Sequence, residues 1–315
     1  MQPSPLVSIC IAAYNAQDFI QECLESLLIQ SYQNIEIIVV NDGSKDGTYG
    51  ILQSYIHRGI TVINQENRGQ CAASNFAFNT CNGDFIKFFD ADDILHQDYI
   101  LEMVKMASPN KLIFSHCINF TGDYTFKENH SEYKIESQVE WNSMDFLMSP
   151  ISNMRQGGRW LIPRSIINKG GLWNESLSLI NDYEYFTRLC LASNGIVYSK
   201  KAILYYRQLL NSLSKQKSAT AFASAYKSIK LAGDQLMAVE DSIRVREHYS
   251  NQLQSLVYDM YPKFRKETFE INNAIADLGG SNLPLDGGPR MQLLKKIFGW
   301  KLALWIKYIQ NHFIK

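Results

Sequence analysis

The chain predicts an α/β fold built on a mostly parallel sheet flanked by helices, and three observations carry that prediction. Short apolar runs alternate with helical patterns through the first 110 residues. The runs at Leu6 to Ala13, Ile35 to Val40 and Phe85 to Phe89 are apolar almost throughout, as strands covered on both faces must be. Polar clusters close each of them, at Asn15, at Asp42 and at Asp90 to Asp93. In parallel sheets ligands bind outside the carboxyl ends of the strands, so the three clusters share one edge.

In order, Leu6 to Ala13 is a strand and Tyr14-Asn15 its turn. Phe19, Ile20, Cys23, Leu24, Leu27 and Leu28 then recur at helical spacing. Ile35 to Val40 closes on the turn signal Asn41-Asp42-Gly43-Ser44. A short helix, a strand near Ile60 to Ile63, a helix from Gln70 to Thr80 and the strand at Phe85 follow. The spacing next predicts a helix from Ile94 to about Asn110 and a strand over Lys111 to Cys117. Residues 118 to 145 are polar, irregular and rich in aromatics, a region shaped for an acceptor. Glycines at 157, 158, 170 and 171 mark loops with close backbone approach. A helix is predicted over Asn181 to Leu191, and a mobile loop over Asn211 to Thr220. Beyond Ala221 the chain is helical, with Tyr249, Leu253, Leu256, Val257 and Met260 on one face. Residues 278 to 289 form a linker. The expected organisation is therefore 1–110 as a nucleotide-binding half and 111–220 as an acceptor half. A helical region at 221–277, the linker and a basic helix at 290–315 complete it.

At 315 residues the chain is long enough for a large core, and 31 basic residues balance 31 acidic ones. No pull toward nucleic acid follows from that balance. Six scattered cysteines without a Cys-x-x-Cys pair argue against a zinc site or a disulfide framework, and fit a reduced cytoplasmic setting. No signal peptide and no spanning helix is read. A Gly-x-Gly-x-x-Gly run and a Gly-Lys-Ser/Thr loop are both missing after the first strand.

Asp90, Asp92 and Asp93 crowd three carboxylates within four positions. One reading is a solvated acidic turn with Asp93 as a helix N-cap; the other is a site for Mg²⁺ or Mn²⁺, completed by substrate phosphates. Asp42 either forms an Asx-turn or, as a pure acceptor, meets the N3 hydrogen of uracil or thymine. Asp182 is either an ordinary first-turn helix acid or a general base aimed into a cleft. The tail from Arg290 has six basic residues and no acidic ones, with Trp305 and Tyr308 on a wide apolar face. It fits an interfacial membrane helix or a packing element.

An ordered series of motifs sharpens these alternatives. Val7-Ser8-Ile9 and Tyr14-Asn15 precede Ile38 to Ser44 with Asp46-Gly47-Thr48. Asn67-Arg68-Gly69, Ala73-Ser74-Asn75 and Asp90-Ala91-Asp92-Asp93 come next, then Gly170-Gly171-Leu172, Asn181-Asp182, Arg188 and Tyr206-Arg207. Over residues 5 to 215 the chain resembles the family 2 glycosyltransferases of GT-A fold. The resemblance implies an inverting, metal-dependent transfer of sugar from a UDP- or dTDP-sugar to a hydroxyl of a glycan or lipid-linked acceptor. It implies donor contacts at Ala13, Tyr14, Asn15, Asp42, Arg68, Asn75, Asp90 and Ala91, a Mn²⁺ or Mg²⁺ ligand at Asp92, and Asp182 as base. Gly171, Trp173 and Arg207 are acceptor-side or loop candidates. Two residues depart from the family pattern. Ser74 stands where arginine is frequent, and Asn181 stands where glutamate usually precedes the base, a change expected to ease ionisation of Asp182. A nucleotidyltransferase or a non-catalytic sugar-nucleotide-binding protein are the competing functions. The tail adds an expected peripheral contact with the inner face of the plasma membrane.

Overall fold

The computed structural model describes residues 4–122, 140–150, 156–209 and 218–313. By contact density the chain divides into Met1–Leu213 and Ser214–Lys315.

The first unit is organised on one sheet with strand order β3-β2-β1-β4-β8-β6-β9-β5, and β7 pairs with β9. Its amino-terminal half is parallel: β1 (Val7–Ala13) lies between β2 (Ile35–Asp42) and β4 (Phe85–Asp90), and β3 (Ile60–Gln65) is outermost. Beyond β4 the sheet is mixed. β8 (Trp160–Pro163) runs antiparallel between β4 and β6 (Leu112–Phe120), while β9 (Ile196–Arg207) is parallel to β6.

Alternation along β1 explains why its run is apolar on both sides. Val7, Ile9, Ile11 and Ala13 face the core under α1 (Ile20–Leu28), α2 (Thr48–Gln53) and α4 (Tyr99–Val104). Cys10 and Ala12 face the opposite side, which α3 (Gln70–Thr80) covers. Phe88 on β4 meets Trp173 and Tyr185 edge-on at 5.3 and 5.8 Å, so α7 (Asn181–Ala192) packs on the side that holds Phe88.

Some local expectations give way to distant pairing. Ile94 and Leu95 begin no helix; they form β5, laddered to Tyr205 and Leu204 of β9, and α4 starts only at Tyr99. Trp160, expected in a loop, opens β8 and stacks on Phe186 at 4.9 Å. Between 118 and 145 the described residues include the end of β6, β7 (Glu140–Trp141) and the start of α5 (Ser143–Met148), capped by Asn142 accepting from Asp145 N–H. α6 (Arg164–Gly170) precedes the loop to α7. Most of the stretch expected to be a mobile loop, at 210–217, lies outside the described residues.

All six cysteines are free and buried.

In the second unit α8 (Ala219–Val239) and α9 (Ile243–Met260) cross closely, followed by α10 (Glu267–Asp277). Tyr249, Leu253, Leu256, Val257 and Met260 are all buried, as their spacing predicts. The 279–288 segment is irregular yet tied to α9, since Tyr258 donates to the Leu283 carbonyl and Ser281 to Asn251.

The tail, α11 (Pro289–Phe313), is not one continuous helix. Gly299 at φ 75° and ψ 165° separates two helical segments, so a single stripe through residues 292 to 310 does not form. Trp300 sits edge-on to Tyr258 and Tyr261, and Ala303 and Leu304 are buried, whereas Leu293, Ile297, Phe298, Leu302 and Trp305 are exposed. Among the described residues no helix is long and apolar enough to cross a membrane.

A Cβ at Gly233 would lie 2.4 Å from the Tyr249 ring, so the α8–α9 crossing depends on this glycine. Gly233→Ala should destabilise the protein by about 1–3 kcal/mol through overpacking, read as a lower midpoint in urea.

Candidate active site

The three predicted clusters lie at one edge, where β1, β2 and β4 end, and Asp182 shares a narrow cleft with Asp90. Ala12, Ser74, Phe88, Asp90, Trp173 and Asp182 are among the residues that line it. Asp90 ends β4 and accepts from Gln70 Nε2 at 3.1 Å. Asp182 lies in the first turn of α7. It is entered through Ile180 in the left-handed region (φ 57°), and Gly157 N–H donates to its Oδ2 at 3.3 Å.

Burial and mutual repulsion dominate the electrostatics. Burial, and then the charge of Asp92, raise the Asp90 carboxyl above its ordinary range. Burial raises Asp92 as well. Asp93 is raised further, by burial and then by Asp90 and Asp92. Burial, and then Asp90, push Asp182 up to about 8, against the opposing Gly157 hydrogen bond. The ease of ionisation expected from Asn181 and from the helix dipole is outweighed. Asn181 instead orients the turn, accepting from Asp182 N–H at 2.9 Å and donating to Cys71 Sγ at 3.1 Å.

Asp93 is no N-cap. It is fully buried, with Oδ1 accepting from Arg207 N–H at 3.0 Å and Oδ2 left without a hydrogen-bond partner. Arg207, expected on the acceptor side, is a clamp behind the acidic turn. It donates to the Asp92 carbonyl at 2.9 Å and the Gly122 carbonyl at 2.7 Å, pairs with Glu22, and lies over the rings of Phe19 and Phe120. Three of its five side-chain donors are thus held by the scaffold.

Other candidates are likewise tied into the scaffold. Asp42 accepts from Gln65 at 2.7 Å and from the N–H groups of Arg68 and Gly69 at 2.8 and 2.9 Å, leaving about one of its four acceptor positions. Asn15, at φ 48°, accepts from Lys45 N–H, and its own N–H donates to Ser44, so it staples two edge loops together. Asn75 is no free donor-binding residue. Its amide oxygen accepts from Trp173 N–H, and its nitrogen donates to the Trp173 carbonyl and to Glu175. The side chains of Ala13 and Ala91 are buried in the core, which leaves only their backbone for a ligand; Ala12 lines the cleft instead. Tyr14 is exposed, and Arg68 holds a solvent-exposed pair with Glu175 at 3.3 Å.

Gly171 turns the chain at φ 87°, and Arg188 donates to the carbonyls on either side of it, at Gly170 and Leu172. The same Arg188 pairs with buried Glu184 at 2.8 Å. Trp173 stacks on Tyr185 at 3.8 Å.

Sequence reasoning assigned no role to Gln70 or Lys87 and gave Gly157 only as a loop glycine. A lone lysine inside an apolar strand was the one available signal for Lys87.

Among the described residues no three acidic, histidine or cysteine side chains converge as a metal cage. The donor set fits a hard cation of another kind, one held by one or two carboxylates with phosphates completing its shell. Crowded acids of raised pKa and an unpartnered Asp93 oxygen are what such a positive charge would relieve.

Residues 8–171 match the family model described as glycosyl transferase family 2. An uncharacterized glycosyltransferase of Rickettsia typhi is 33% identical over 195 residues, 61% of this chain and 60% of the relative. Another, of Haemophilus influenzae, is 29% identical over 229 residues, covering 69% of this chain and 85% of the relative. The chain thus spans less than two thirds of the length of the Rickettsia relative. The crystal structure of S. aureus TarS 1-349 in complex with UDP-GlcNAc superposes with a TM-score of 0.62 at 14% identity, covering 98% of this chain and 93% of that one, a likeness of fold.

The raised pKa of Asp182 has a stability consequence. A carboxyl titrating near 8 when folded and near 4 when unfolded favours the fold below about pH 4, and that contribution is lost as pH rises through 8. Asp182→Asn should therefore gain stability over the wild type between pH 5 and pH 9, as read by urea midpoints at the two pH values.

Proposed function

The chain belongs to glycosyl transferase family 2, and from that premise we propose that it moves a sugar from a UDP- or dTDP-sugar to a hydroxyl of a glycan or lipid-linked acceptor, with inversion. One observation carries the reading: Asp90 at the end of β4 and Asp182 at the start of α7 line the same cleft. A nucleotidyltransferase has no use for the second carboxylate, and a binding protein has no use for a base of raised pKa. The UDP-GlcNAc complex of TarS supports a nucleotide-sugar donor.

In this reading the acceptor oxygen attacks the anomeric carbon as the bond to the diphosphate oxygen breaks. Asp182 takes the hydroxyl proton. At a pKa near 8 it is a stronger proton acceptor than a free carboxylate, and a usable fraction is ionised at neutral pH. Asp92, with Asp90 beside it, would hold Mn²⁺ or Mg²⁺, whose bound charge offsets that developing on the leaving diphosphate. Asp42 offers its remaining acceptor position to the base, and Arg68 exchanges Glu175 for phosphate at little cost because its ion pair is exposed. Asp92→Asn should weaken Mn²⁺-dependent UDP binding at least tenfold in calorimetry, whereas Asp182→Asn should keep that binding and lose transfer. Unchanged UDP affinity in the first variant removes the metal assignment, and full activity in the second removes the base.

The tail supports a peripheral membrane setting on the cytoplasmic side. Its exposed Leu293, Ile297, Phe298, Leu302 and Trp305 lie among lysines with no acidic residue, the composition of an interfacial segment. Ile297→Asp with Phe298→Asp should abolish sedimentation with anionic liposomes, and unchanged sedimentation would count against the contact.

A further inference from the structure

A lysine sits with no exposed surface in the middle of β4, three residues before Asp90. Burial of so long a cation is costly unless its donors are used. The Lys87 ammonium donates to the Tyr99 hydroxyl at 3.1 Å and to the Gly158 carbonyl. The rings of Tyr99 and Phe89 lie 4.3 and 5.1 Å from it. Tyr99 also donates to the Gly158 carbonyl, at 3.2 Å, so one backbone oxygen receives two buried donors.

That oxygen belongs to the short turn Gly157–Arg159, which runs between two carboxylates. A Cβ at Gly157 would lie 3.3 Å from Asp182 Oδ1, and one at Gly158 would lie 3.5 Å from Asp93 Oδ2. The turn's own Gly157 N–H is the hydrogen bond on Asp182. Arg159 fixes the far end by donating to the Ser115 carbonyl at 2.7 and 3.1 Å.

We propose that Lys87 is a positioning residue for Asp182, acting through the Gly157–Gly158 turn. It links the strand that carries the nucleotide-side acids to the segment that orients the base, an inference that rests on the transferase reading only where it concerns rate. Turn and base must be held to a fraction of an ångström for a hydroxyl to be deprotonated in line. Lys87 reaches no substrate, so its loss should leave donor binding intact.

The test uses Lys87→Met and Tyr99→Phe in the full chain, with two readouts. Amide hydrogen exchange over residues 156–160 should quicken by about tenfold in both variants, while exchange in α8 and α9 stays unchanged. The kcat for transfer should fall about tenfold in Lys87→Met and less in Tyr99→Phe, with donor KM and UDP affinity within twofold of wild type. Unchanged exchange in the turn overturns the proposal, and so does a loss that appears in UDP affinity rather than kcat. If Lys87→Met does not fold, Tyr99→Phe decides by the same criteria. Absence of transfer by the wild type would defeat the enzymatic reading alone, since the exchange experiment still tests the link between Lys87 and the turn.

Discussion

Crowded negative charge in a partly buried cleft is the constraint to which the rest of this structure answers. Asp90 and Asp182 line one cleft with Asp92 and Asp93 close behind, and burial together with the charges of Asp90 and Asp92 makes ionisation in this group harder. The surrounding protein supplies partial relief in fixed places. Arg207 stands behind the acidic turn, the charge of Lys87 opposes those of Asp90 and Asp93, Gln70 donates to Asp90, and a glycine N–H points at Asp182. None of these neutralises the cluster, and a site left short of positive charge is suited to receive it with its substrate.

The scaffold spends many polar side chains on holding loops. Asp42, Asn75, Arg188 and Arg207 each satisfy two or more backbone groups of segments distant in sequence, and Asn15 satisfies one. Edge loops at the ends of parallel strands have backbone groups that no ladder satisfies, and buried ones must find partners. Side chains that seem poised for ligand in a sequence motif are therefore often the mortar between loops. Their neighbours Tyr14 and Arg68 stay exposed.

The amino-terminal half was legible because its signals are local. Apolar runs, turn residues and helical spacing recover β1 to β4, α1 and α3 to within about two residues, give α2 only as a short helix without bounds, and find α7 by the same logic. What failed was whatever depends on partners far along the chain. Ile94 and Leu95 read as a helix start until β9 is there to pair with them, and Trp160 reads as loop until β8 inserts beside β4. Asp90 and Asp182 were singled out by type and position, and the structure brings the two to one cleft. The committed roles of Asn75 and Arg207 were not visible, since a motif gives no account of which hydrogen bonds a side chain has already made. The tail pattern promised one continuous face, and a single glycine in a left-handed conformation interrupted it.

The insertion of β8 between β4 and β6 also governs the order in which the site comes into being. The acidic turn rests on the four parallel strands at the amino-terminal end of the chain. Its clamp, from Asp93 to Arg207, closes across 114 positions, and the turn that orients Asp182 joins β4 only after β8 has paired with it. Long-range closures of this kind are slow in folding, because chain entropy is lost before the contacts form. A nascent chain would thus hold a finished parallel sheet well before Asp90 and Asp182 line one cleft, and any property that needs both carboxylates would be the last it gains.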